Sequence, residues 1–189
     1  MAWRFPLAPI GLAAFAVAAM ESPSAFVPWK VAGAADPPAK ASLLLYWIPV
    51  SADEFKHSSL LTSRQLTTYA SQCVAMQVIR SDDAATIEKL RATGELPTAI
   101  LLRVDQTELA RVRNDRGVLS VTAVEKMVRD ALRARETEVG AQLDEAARKL
   151  VRGERDAAVS LYRSVYEQRC LCPRAGREAQ RALKRLGAE

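Results

Sequence analysis

Leu43 to Ile48 is an uninterrupted apolar run, without the alternation of a half-covered strand. Such a run predicts a strand buried on both faces. Pro49 has no N–H and biases Ile48 away from helix, so the strand ends there. Two further runs, Cys73–Ile79 and Pro97–Val104, have the same character. Between the first two strands, Leu60–Tyr69 reads as helix, with Ser59 or Ser63 as its cap and Leu61, Leu66 and Tyr69 on one side. Asp82 and Asp83 offer caps for a short helix over Ala84–Ala92, with Ile87 and Leu90 inward and Gly94 as its stop. After Asp105-Gln106 the stretch Thr107–Arg113 returns antiparallel as an edge strand, its Leu109 set between polar residues. Asn114–Gly117 is the next turn. Thr122 and Glu125 then make a capping-box pattern before a helix whose Val121, Val124, Val128, Ala131 and Leu132 share a face.

The predicted order is β-α-β-α-β-β-α. A helical crossover between the first two strands requires them to be parallel, and the last two strands form a hairpin. The result is a mixed sheet of four strands with helices on both faces.

This order, with "ELPTAILL" opening the third strand, resembles the thioredoxin-like fold over Ala41 to about Arg133. The resemblance implies a cis-proline at Pro97, with the hairpin and last helix supplied by "DQTELARVRNDRGVLSVTAVEKMV". It also implies a catalytic cysteine pair just after the first strand. Trp47 matches the aromatic position before that pair, but the chain has "PVSADEF" there. Serine does not replace a cysteine thiolate in disulfide exchange. Ser51 instead reads as a cap, with Asp53 and Glu54 beside the positive end of a short helix. The surviving use that the resemblance implies is a peptide groove built from Trp47, Pro49, Pro97 and Thr98. The plainer reading is that Pro97 only shapes a turn.

Beyond residue 133 the pattern is helical. Gln142–Val151 carries Leu143, Ala146, Ala147, Leu150 and Val151 near one side. After Gly153, Ala157, Leu161 and Val165 form one row and Ala158, Tyr162 and Tyr166 its neighbour. Pro173 stands before a last helix over Ala175–Leu186. "AARKLVRGERDAAVSLYRSVYE" resembles a single tetratricopeptide-repeat unit. One unit does not bury its own core well. Docking on the sheet domain, or on a partner through Tyr162, Tyr166, Leu183 and Leu186, both answer that need.

Composition changes the picture in three places. First, residues 1–20 hold one arginine before an apolar stretch, which predicts an export signal or, left uncleaved, a membrane anchor with Trp3 at the interface. Residues 21–41 are Ala- and Pro-rich and read as linker, in which Trp29 has no legible role. Second, the net charge of +5 sits mainly after residue 132. Acids interleave with those arginines and no stacking platform accompanies them, which argues against nucleic acid. Third, there are three cysteines, Cys73, Cys170 and Cys172. Cys170 and Cys172 are awkwardly close for a mutual bond, and a bridge from Cys73 to either one is open. Cys170 and Cys172 without nearby His give no metal site. His57 with Asp53 and Ser59 lacks the specificity of a hydrolytic set.

The expected organisation is therefore α/β. A signal or anchor over 1–20 and a linker over 21–41 precede a thioredoxin-like four-stranded domain over 42–133. An all-helical, tetratricopeptide-like extension over 134–189 follows. The emptied strand end predicts a non-enzymatic, exported accessory or scaffold protein, periplasmic or membrane-associated, without cofactor or metal. It would contact another protein, such as a subunit of a membrane complex. The alternative is a thiol–disulfide redox protein using Cys170 or Cys172 with Cys73.

Overall fold

The computed structural model describes residues 26–32, 42–114 and 117–188. The expected export or anchor segment, residues 1–20, lies outside them. Among the described residues no helix is long and apolar enough to cross a membrane.

Strand β2, Leu43–Ile48, is the centre of the sheet. It pairs in parallel with β3, Val74–Val78, setting Leu43 opposite Val74 and Trp47 opposite Val78. On its other side it pairs antiparallel with β4, Thr98–Arg103, setting Tyr46 opposite Ile100. Strand β5, Glu108–Arg113, completes the hairpin, with a bulge at Leu101/Leu102. The sheet has a fifth member that the sequence does not announce: β1, Lys30–Val31, lies parallel to β3, so the order is β1-β3-β2-β4-β5. Two residues are too few to show a period. Of the stretch read as linker, other described residues are also built in. Val27 is buried, and the Trp29 indole donates to the Leu60 carbonyl at 3.0 Å.

Alternate side chains of β2 serve opposite layers, as the pleat requires. Leu43, Leu45 and Trp47 meet α2, Arg64–Ala70, and the first half of α4, Val121–Val151. Leu44 and Ile48 join Ile100 and Leu102 beneath Ile87 of α3, Ala84–Lys89. Helices on both faces explain why the strand is apolar throughout. The arrangement is a mixed α/β sheet with an all-helical C-terminal region, consistent with a thioredoxin-like fold and extension. The short helix α1, Ala52–His57, follows the end of β2.

The cap of helix α4 stands two residues before the expected one. Ser120, not Thr122, is the cap and accepts the Ala123 N–H at 3.3 Å. Glu125 is used elsewhere: its carboxylate accepts the Ser63 hydroxyl at 2.7 Å and so ties α4 to the cap of α2. The helix then runs for 31 residues. Val124, Met127 and Val128 lie on the sheet, while Val139 and Ala146 belong to a second apolar cluster. A boundary at residue 133 thus falls inside one helix, because the apolar stripe continues while its partner changes. Gly153, at φ +79°, turns the chain into α5, Arg155–Glu167. Helix α6, Pro173–Arg185, takes Pro173 in its first turn, where a missing N–H is harmless.

Replacing Trp29 by Ala removes the Leu60 bond and the edge-on contact with Trp47. We expect a loss of about 2 kcal/mol in urea unfolding. An unchanged midpoint would show that the Trp29 side chain adds nothing to the domain.

Candidate redox site

The end of β2, where the resemblance calls for cysteines, is closed by a capping arrangement. Ser51 Oγ accepts the Glu54 N–H at 3.2 Å, and Glu54 Oε2 accepts the Val50 N–H at 2.6 Å. Burial pushes the Glu54 carboxyl up, and the Val50 N–H pulls it back. The positive end of α1 is thus answered by its own side chains. Trp47 has no exposed surface and sits between Trp29 and Phe55, each ring 5.4 Å away. Pro49, Pro97 and Thr98 are buried as well. The Leu96–Pro97 bond is cis. Asn114 Nδ2 donates to the Leu96 carbonyl at 2.9 Å, and Thr98 Oγ1 to the Val112 carbonyl at 2.9 Å. The four side chains expected to line a peptide groove therefore lie beneath the surface. His57 is exposed, with Nδ1 2.9 Å from the Asp53 carbonyl oxygen one turn back on α1.

The residues expected to face a partner also turn inward. Tyr162 and Leu183 are buried in the helical cluster, and Tyr166 and Leu186 pack against it. Helices α4, α5 and α6 thus enclose Tyr162 and Leu183, while Tyr166 and Leu186 stay partly exposed. Among the described residues no three metal-binding side chains gather.

The chemistry lies at the other end of the sheet. Cys73, just before β3, is bonded to Cys170, in the turn between α5 and α6, with Cα atoms 5.8 Å apart. The Cys73 carbonyl accepts the N–H groups of Ser42 and Leu43 at 3.2 and 3.4 Å, so the bond stands where β2 begins. The length of β2 separates it from Pro49, about 20 Å. Cys73 has φ +60°, a left-handed conformation that disfavours any side chain by roughly 1–2 kcal/mol. Such strain gathers at functional positions. Both bonded residues are half-buried. The turn carrying Cys170 is held from behind. A Cβ on Gly176 would stand 2.4 Å from the Cβ of Arg169, so only glycine lets α6 lie this close.

Cys172 is the remaining thiol and is only 3% exposed. Burial pushes its pKa up, Glu136 adds to this and Arg135 opposes it. It is thus held as a neutral thiol, a poor nucleophile. The pairing left open between Cys170 and Cys172 goes to Cys170, and Cys172 fills the helical core.

A cleft of about 910 Å³ begins beside the bond. Ser42 and Leu43, which hold the Cys73 carbonyl, and Gln168 and Leu171, which flank Cys170, line it. Met127 and Ala131 of α4 form its apolar wall, with Arg103, Lys126 and Arg135 among its charged groups. These residues come from three strands, a helix and a turn, and no local motif announces them.

The disulfide overturns the expectation of a non-enzymatic scaffold. The strand end is empty of sulfur, but the chain carries a two-electron couple in a strained, half-exposed place beside a cleft. No family model matches the sequence, and no curated protein matches it either.

Alkylation of the denatured, unreduced protein should label one thiol per chain, and three after reduction. A raised thiol pKa in the folded state means that the unfolded chain ionises first, so stability falls as pH climbs past the ordinary value of 9.0. Cys172→Ala should flatten the urea midpoint between about pH 8 and pH 10 relative to the parent. Equal slopes would show that Cys172 is not held as the neutral thiol.

Proposed function

We propose that the chain is a thiol–disulfide redox protein of thioredoxin-like descent whose working couple is Cys73–Cys170. The observation that carries this reading is the half-exposed bond with Cys73 at φ +60°. Strained or exposed disulfides are the exchangeable ones. On this reading the exchange chemistry has moved from the C-terminal end of β2 to its N-terminal end.

The reaction is a pair of displacements. A substrate thiolate attacks Cys170 Sγ, a mixed disulfide forms, and Cys73 leaves as a thiolate that takes up a proton. A second thiolate of the same substrate then displaces Cys170. The substrate departs as a disulfide and both protein cysteines are reduced. Run backward, the steps reduce a substrate disulfide. Cys172 stays outside the couple.

Accessible thiols on proteins are the substrate class, and the helical extension is consistent with a protein-contact surface. The apolar residues 1–20 support export to a compartment where disulfides persist. The test is catalysis of dithiothreitol-driven reduction of a dye-labelled peptide disulfide. Cys73→Ser and Cys170→Ser should each bring the rate to the uncatalysed level, while Cys172→Ser retains it. A parent protein no faster than buffer ends the proposal.

A further inference from the structure

We infer that the Cys73–Cys170 bond is also a latch on the cleft. Closed, it fastens the α5–α6 turn to the start of β2. Opened by reduction, it lets the helical extension swing on α4 and widen that end of the cleft. The inference deepens the redox reading and rests on it for its use.

Three observations converge. The first is how the two halves meet. The sheet cluster and the helical cluster have separate buried cores, and among the described residues Leu171 alone packs against both. Leu171 is adjacent to Cys170, so the covalent and apolar parts of the join lie at one point.

The second is where that point stands. Gln168 and Leu171 form one wall of the cleft end, and Ser42 and Leu43 form the facing one. The disulfide spans from one wall to the other, because the Cys73 carbonyl holds Ser42 and Leu43 while Cys170 lies between Gln168 and Leu171. Moving the turn away from β2 therefore changes the cleft's opening.

The third is a place for α4 to bend. Its last side chain packed on the sheet cluster is Leu132, and its first buried in the helical cluster is Val139. Residues 133–138 between them are mostly exposed. Gly140 follows, and a Cβ there would meet nothing within 4 Å. Glycine inside a helix is less favourable than alanine by about 1 kcal/mol. No close packing requires it at 140, so its effect is to soften the helix where it enters the helical cluster, next to the exposed stretch 133–138. A single bond at the far side and a soft point in the spine together make a hinged, fastened unit.

Hydrogen exchange on the full chain tests this. It compares the oxidised protein, the phosphine-reduced protein and Cys73→Ser, all in a Cys172→Ser background that blocks reshuffling. Opening the bond should speed exchange at least about tenfold at residues 168–172 and at the Ser42 and Leu43 amides. The centres of β2 and β4 should gain far less than residues 168–172, and Gly140→Ala should reduce that local gain. Equal exchange in both redox states overturns the latch. A gain in the strand centres as large as the gain at residues 168–172 overturns it too, since the bond would then act only as a staple for the whole fold. The reductant is chemical, so this outcome is independent of the turnover assay, and either can fail alone.

Discussion

One covalent bond joins two parts of this molecule that otherwise share little but a helix. The sheet domain and the helical extension each bury their own apolar cluster, and α4 runs through both. Cys73–Cys170 closes the circuit on the far side, across 97 residues of sequence. Loop entropy credits a bridge of that span with roughly 4–5 kcal/mol. The left-handed backbone at Cys73 returns about 1–2 kcal/mol of it. The bond therefore stabilises the fold while one of its residues keeps a left-handed backbone, a combination that suits an exchangeable couple better than an inert staple.

The end of the sheet nearest Pro97 shows the complementary economy. With no thiolate to stabilise, the positive end of α1 is satisfied by Ser51 and Glu54. The aromatic groups around it, Trp29, Trp47 and Phe55, have become core. Burying Trp47 and Pro97 removes the side-chain surface that an extended peptide would need. The cleft at the opposite end has an apolar wall and charged groups, and it stands beside the sulfur.

Much of the fold was legible because β2, β3 and β4 are buried on both faces and therefore read as unbroken apolar runs. Lys30–Val31 was not, since a two-residue strand has no period. The start of α4 was displaced because Ser120 and Thr122 are both competent caps, and Glu125 suggested the wrong one. Its tertiary role, holding the Ser63 hydroxyl, has no local signature. Of the site, the three cysteines were visible, but the choice between Cys170 and Cys172 depends on which one faces Cys73. That is set only in the folded chain, where Cys172 is buried in the helical cluster and Cys170 meets Cys73. The cleft was invisible, because its walls meet only in the folded chain.

The most direct test equilibrates the intact folded protein with graded glutathione buffers, quenches with an alkylating agent and counts thiols by mass. The redox account predicts that Cys73 and Cys170 open and close together, reversibly, while far-ultraviolet circular dichroism keeps the folded signal and Cys172 stays unlabelled. A bond that remains closed at every ratio until the sheet itself unfolds would contradict it.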